Sequence, residues 1–165
     1  MAGGARHRGG AGAAQVLTLR GPRGAWRAVS RWPEHILTEV GRHLAAAYPF
    51  EGCGVILRAE GTGALRIRPL RNAAGNPRRA YAFAPEEWLA VCIEADARSE
   101  RVVCVFHSHV DAPATFSQED LQRAAPDGCP LLPDVSYLIG SIHRGCVHCV
   151  SEYEWRAGNF ASRTH

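Results

Sequence analysis

The 165-residue chain contains no lysine, and each of its 19 basic residues is arginine. Only the α-amino group is therefore open to amide conjugation. If the protein acts on amide-linked modifiers, it is not expected to carry them on its own side chains. No apolar run approaches the roughly 20 residues that span a bilayer, so no membrane-spanning helix is expected. The N-terminal residues lack the apolar h-region of a secretory signal. A net charge of +3 with 21% charged residues gives no reason to expect a nucleic-acid partner. No acidic residue precedes Glu34, and methionine occurs once.

Residues 1–30 are rich in Gly, Ala and Arg, and are expected to form a disordered basic arm. Their acid-free character is also that of a transit peptide, but an ordinary tail is the favoured reading. Within them, "QVLTLRG" can add an edge strand. Residues 31–160 are expected to form a single domain, a length sufficient for its own core. The six cysteines are Cys53, Cys92, Cys104, Cys129, Cys146 and Cys149. Cys53, Cys92 and Cys104 sit in apolar patterns, where free Cys behaves as a small hydrophobe. Without a secretory signal, reduced thiols and a cytoplasmic location are expected.

Periodicity and punctuation predict the elements. "PEHILTEVGRHLAAAYP" reads as a helix with Pro33 at its first position, Ile36, Leu37, Val40 and Leu44 on one face, and Pro49 ending it. "CGVILRA" and "ALRIRPL" read as two strands around Gly61-Thr62-Gly63. "RNAAGNPRR" is a loop and "AYAFA" a short strand. "PEEWLAVCIEADARSE" is a second helix, with Trp88, Val91, Cys92 and Ala95 as its buried face. "RVVCVFHSH" is a central buried strand. "SQEDLQRAA" is a short helix capped by Ser117, and "DVSYLIGSI" with "GCVHCVSEYEW" is a hairpin across His143-Arg144-Gly145. The fold class is therefore α/β (α+β), a mixed, largely antiparallel sheet flanked by helices.

His107 and His109 stand at the end of the central strand. Side chains at i and i+2 of a strand share a face, with Cβ atoms roughly 7 Å apart, so both imidazoles can meet one cation. Ser108 points to the opposite face. Asp120, brought back by the loop and the next helix, can add a carboxylate, giving the two-His, one-acid set of a catalytic zinc site. Ser117 and Asp120 have an equally good structural reading as a helix cap and its capping-box partner. "HRGCVHC" is a weaker metal candidate, because strand alternation is expected to point its two thiols apart. A Cys53 nucleophile with His107 as base is a further alternative. Arg66, Arg68, Arg71, Arg78 and Arg79 read as a solvated face, or as a surface for an acidic partner.

The sequence His-Ser-His, seven residues, Ser, two residues, Asp resembles the signature of the JAMM (MPN+) metallopeptidases, and "YPFEGCGVIL" resembles the upstream glutamate stretch of their short bacterial members. The resemblance covers roughly residues 34–156. It implies a cytidine-deaminase-like MPN/JAMM fold with Zn²⁺ held by His107, His109 and Asp120. It implies Glu51 as the general base serving a metal-bound water, and Ser117 as donor to the oxyanion. It also implies a peptidase or isopeptidase acting at the C-terminus of a ubiquitin-like or sulfur-carrier protein. A non-catalytic MPN scaffold and a hydrolase of small-molecule amides are the alternatives. Two positions depart from the family's frequent prolines, Val110 after the second histidine and Phe116 before the serine. They, together with loops 72–80 and 110–116, are expected to bear on substrate fit. Asp111 is an extra acid beside the site, expected to be solvated or capping. The oligomeric state is not legible in the sequence.

Overall fold

A computed structural model describes residues 17–18 and 31–163. Apart from Leu17–Thr18, the expected basic arm lies outside the described residues. The elements in chain order are β1 (Leu17–Thr18), α1 (Glu34–Ala47), β2 (Cys53–Ala59), β3 (Leu65–Leu70) and α2 (Pro85–Ala97), followed by β4 (Glu100–Val110), α3 (Gln118–Ala124), β5 (Ser136–His143), β6 (Cys146–Arg156) and β7 (Asn159–Ser162). The seven strands form one sheet in the order β1-β6-β5-β4-β2-β3, with β7 also paired to β6. Among the described residues β4 and β5 are the one parallel pair. The expected α+β class with a largely antiparallel sheet is what the chain adopts.

The period-2 pattern of the strands divides the core into two layers. On one face α1 buries Ile36, Leu37, Val40 and Leu44 against Ile56, Phe106, Leu138, Ile142 and Val150. Each such side chain contributes about 1.5–3 kcal/mol when fully buried. On the other face Val55, Leu57, Val105, Tyr137 and Ile139 pack with Val91 and Ala95 of α2 and Ala124 of α3. β4 lies between β2 and β5, so its C-terminal end carries His107 and His109 into the middle of the sheet.

Several local expectations differ from the structure. Pro33 is the N-cap of α1 and not its first helical residue; its carbonyl accepts from Ile36 and Leu37. "AYAFA" is loop, because the Asn72 side chain takes its backbone groups in place of a strand ladder: Asn72 Nδ2 donates to Ala80 O and Asn72 Oδ1 accepts from Ala82 N. Cys92 is exposed and Trp88 half-buried, leaving Val91 and Ala95 as the fully buried face of α2. Cys149 is buried in the opposite layer from Val147 and Val150, because a bulge between Ser141 and Ile142 leaves His148 unpaired and breaks the alternation expected there. The β6–β7 hairpin was not anticipated.

The arginine run is largely neutralised within the chain. Arg66 meets Glu100 at 2.6 Å and Glu94 at 2.9 Å, and Arg68 meets Glu94 at 3.1 Å. Arg71 lies 4.0 Å from Glu87, and Arg78 3.6 Å from Asp111. Such exposed pairs contribute about 0–1 kcal/mol each. Those through Glu87 and Glu94 link α2 to β3 and to Arg71 just after it, while Glu100 and Asp111 lie outside α2.

Gly54 sits in β2 between β3 and β4. A Cβ there would stand 2.5 Å from Phe106 Cζ and 2.6 Å from the Arg68 carbonyl oxygen. Gly54→Ala is expected to destabilise the fold by about 1–3 kcal/mol through overpacking. Thermal unfolding checks this, and an unchanged Tm would show that β2 and β3 can part without cost.

Candidate metal centre

His107, His109, Ser117 and Asp120 come from two elements, β4 and the capped start of α3. β4 presents His107 and His109 on one face, and the loop from Asp111 to Phe116 returns the chain to α3. Ser117 caps that helix: its Oγ accepts from Asp120 N at 3.0 Å, while Ser117 N donates to Asp120 Oδ2 at 2.8 Å. The expected capping box is thus present, and it turns the Asp120 carboxylate toward β4. Asp120 Oδ1 lies 3.0 Å from His107 Nε2, Asp120 Oδ2 lies 3.3 Å from His109 Nε2, and the two Nε2 atoms are 3.2 Å apart.

This triangle fits a metal ion. A tetrahedral ion with bonds of about 2.0–2.1 Å has ligand–ligand edges of roughly 3.3 Å, close to the Nε2–Nε2 separation and to the distance from each Nε2 to its own oxygen of the Asp120 carboxylate. Two imidazole nitrogens facing each other at 3.2 Å in a buried site present either two lone pairs or two N–H groups to one another unless a cation or a single proton stands between. Among the described residues this is the one cluster of three or more His, Cys, Asp or Glu side chains able to hold an ion. His109 Nδ1–H donates to Pro113 O at 2.8 Å, which leaves Nε2 directed at the cluster. His107 Nδ1 is buried without a partner. The His107 ring is oriented instead by stacking on Tyr81, with centroids 4.2 Å apart and planes at 23°.

The electrostatics favour the ligand state a cation requires at His107 and Asp120, and favour a proton at His109 in the absence of a cation. Burial pushes the His107 pKa down and keeps the ring neutral, against the pull of Asp120. Burial also disfavours charge on His109, yet Asp120, the Pro113 carbonyl and Glu51 together hold its pKa above the ordinary value. Asp120 is buried, but its bonds to His107, His109 and Ser117 hold the carboxyl well below the usual carboxylate range.

Glu51 reaches the site through a clamp that the sequence reading did not anticipate. Gly52 N donates to Ser108 Oγ at 2.9 Å, and Ser108 N donates to Gly52 O at 2.9 Å. The serine between the histidines therefore holds the residue after Glu51 against β4. Gly52 must be glycine here, since a Cβ would lie 2.9 Å from Ala47 Cβ on α1. Glu51 N donates to Pro77 O, and Glu51 O accepts from Asn72 Nδ2. Glu51 is 5% exposed. Burial pushes its carboxyl up to about 7; His109 and Arg123 oppose the shift, and Asp120 and Glu119 add to it. Asn72, Ser108 and Tyr81 are the positioning groups that sequence reasoning missed. The Asn-rich loop "RNAAGNP" was the available signal for the first.

The family profile of prokaryotic homologs of the JAB domain matches residues 33–157. The chain belongs to this JAB (JAMM, MPN+) family. It is 28% identical over 96 residues to the desampylase of Haloferax volcanii, covering 58% of this chain and 69% of that protein. It is 31% identical over 90 residues to the desampylase of Pyrococcus furiosus, covering 54% and 62%. It also matches the tail tip assembly protein K of Escherichia phage N15 at 35% over 91 residues, covering 55% of this chain and 33% of the phage protein. Solution structures of proteins from Desulfitobacterium hafniense (TM-score 0.62, 25% identity, 79% of this chain and 86% of that one) and Salinibacter ruber (TM-score 0.58, 27%, 80% and 87%) share the fold. The JAB-family chain departs from the alternatives weighed at its cysteines. The Cys53 thiol is pushed up to about 12 by burial and donates to Leu70 O, which removes it as a nucleophile. Cys146 and His148 are exposed, while Cys149 is buried.

A carboxyl raised from 4.5 to about 7 binds its proton more tightly in the folded chain than in the unfolded one. Its contribution to stability is therefore present below pH 4.5 and is lost as pH rises to about 7. At about 1.36 kcal/mol per pH unit the loss is on the order of 3 kcal/mol. In chelator, Glu51→Gln is expected to gain stability over the parent chain between pH 4 and pH 8, by up to that amount. Urea unfolding at both pH values checks this, and a difference independent of pH would contradict it.

Proposed function

We propose that the protein is a zinc-dependent hydrolase of an amide bond, a JAMM-type peptidase or isopeptidase that acts at the C-terminus of a ubiquitin-like or sulfur-carrier protein. The observation that carries this reading is the convergence of His107 Nε2, His109 Nε2 and the two oxygens of the Asp120 carboxylate, 3.0–3.3 Å from partner to partner, beside the buried carboxyl of Glu51. The two similar proteins named desampylase support the substrate class.

A Zn²⁺ ion held by His107, His109 and Asp120 would supply a Lewis acid and lower the pKa of a water beside it. Glu51 is the proton carrier. Its buried carboxyl, whose pKa burial raises, can accept a proton from water and return it to a leaving amine. Ser117 Oγ now donates to Asp120 Oδ2 at 2.6 Å. To stabilise a developing oxyanion it must turn that hydrogen from Asp120 to the substrate. An extended Gly-Gly tail, free of Cβ atoms, lies along a strand edge to reach these groups. No helix among the described residues is long and apolar enough to cross a membrane. The six free cysteines accord with a reducing, cytoplasmic setting.

Three substitutions separate the roles. Asp120→Ala is expected to lose bound zinc, as read by elemental analysis. Ser117→Ala is expected to keep zinc, lose about 1 kcal/mol of helix-cap stability, and lose cleavage by roughly 10²–10³-fold. Glu51→Gln is expected to keep zinc and lose at least about 10²-fold in cleavage of a carrier extended past its Gly-Gly. Absence of stoichiometric zinc in the parent chain, or unchanged cleavage by Glu51→Gln, would sink the proposal.

A further inference from the structure

Beside the metal centre lies a second feature that the mechanism does not use. A cavity of about 400 Å³ opens on the same face of the sheet, within the range of roughly 300–1,000 Å³ typical of ligand pockets. Val105 and Tyr137 form its base, Phe83, Trp88 and Leu132 its walls. Val105 precedes His107 by two residues on β4, so the cavity begins roughly 7 Å from the ligand-bearing position. Tyr81 is the partition between the two, lining the cavity and stacking on His107. α3 serves both as well, with Asp120 at the metal centre and Ala124 at the cavity.

The lining specifies the occupant. Arg123 is its one charged residue, and Glu119 pairs with it at 2.9 Å. The rest of the lining is uncharged. Tyr81 and Tyr137 are 9% and 4% exposed and line the cavity. Leu131, 64% exposed, stands at the cavity as an apolar side chain with little to cover it. A mainly apolar space lined by Tyr81, Phe83, Trp88 and Tyr137 beside the His107–His109–Asp120 cluster suits a large, uncharged side chain of an extended peptide.

We propose that this cavity is the specificity pocket of the enzyme, taking one large, uncharged, mainly apolar side chain of the substrate segment two to three residues from the cleaved amide. The spacing follows from about 3.3 Å per residue of extended chain against the roughly 7 Å offset. The inference rests on the hydrolase reading above, but its test does not depend on turnover. Six-residue peptides with a central Gly-Gly, carrying Leu, Tyr, Ala or Asp at each other position in turn, are titrated calorimetrically into the metal-free protein. One position is expected to bind at least 10-fold more weakly with Ala or Asp than with Leu or Tyr. Leu131→Asp at the surface and Ala124→Leu within the cavity should each erase that preference while circular dichroism stays unchanged. Affinity indifferent to side chain at every position, or a preference untouched by both substitutions, overturns the proposal. The same peptides are then given to the zinc-loaded protein. The expected preference without any cleavage would uphold the pocket and sink the hydrolase reading. Cleavage without preference would do the reverse.

Discussion

A buried carboxylate is the constraint on which the site depends. Asp120 is 6% exposed, and an ionised carboxylate so placed is costly unless every lone pair is met. Here the local and the long-range solutions coincide. The helix cap supplies Ser117 N and Oγ, and the sheet supplies His107 and His109 Nε2. The capping reading and the ligand reading are therefore not rivals. A carboxylate held by its own helix cap keeps one orientation, and a fixed orientation is what a metal ligand needs. Removing either set leaves the same buried charge short of partners, so helix start and metal centre are energetically coupled.

Glu51 shows the opposite arrangement. Its backbone is fully engaged, through Pro77, Asn72 and the Ser108 clamp on Gly52. Its carboxyl is left in a place that disfavours its charge. The fold tolerates that cost because the neighbours of Glu51 are pinned by groups that would be unsatisfied if the segment moved. Stability is given up at one side chain and recovered in the surrounding backbone, a distribution common at functional sites.

Elements built from local signals were legible in the sequence. "CGVILRA" matches β2 residue for residue, and the Ser117–Asp120 box is where its residue types place it. What escaped the sequence was set by partners far along the chain. The loop at Ala80–Ala84 is made by Asn72, the burial of Cys149 by a bulge opposite Ser141, and the neutrality of the arginine run by Glu87, Glu94, Glu100 and Asp111. None of these is visible to a window of ten residues. Of the site, the paired histidines are a strand-end pattern, but Glu51 is legible only by resemblance. The Ser108 clamp that delivers it joins residues 56 positions apart.

The two loop departures can now be placed. Phe116 stacks on Phe160 with centroids 4.3 Å apart and meets Tyr137 and Tyr153 edge-on or tilted. It anchors the 111–116 loop in the core, aided by Tyr153 OH donating to Ala114 O and Ser141 Oγ donating to Ala112 O. A proline there would stiffen the loop through its own backbone; here side chains from β5, β6 and β7 hold it from outside. The loop still delivers Pro113 O to His109 and Ser117 to Asp120. Phe116 thus acts on the metal centre through loop position, and it shares Tyr137 with the neighbouring cavity. A change at Phe116 would reach both, so the His107–His109–Asp120 cluster and the cavity are linked through one aromatic group. Val110 has no comparable anchoring contact that distinguishes it from proline.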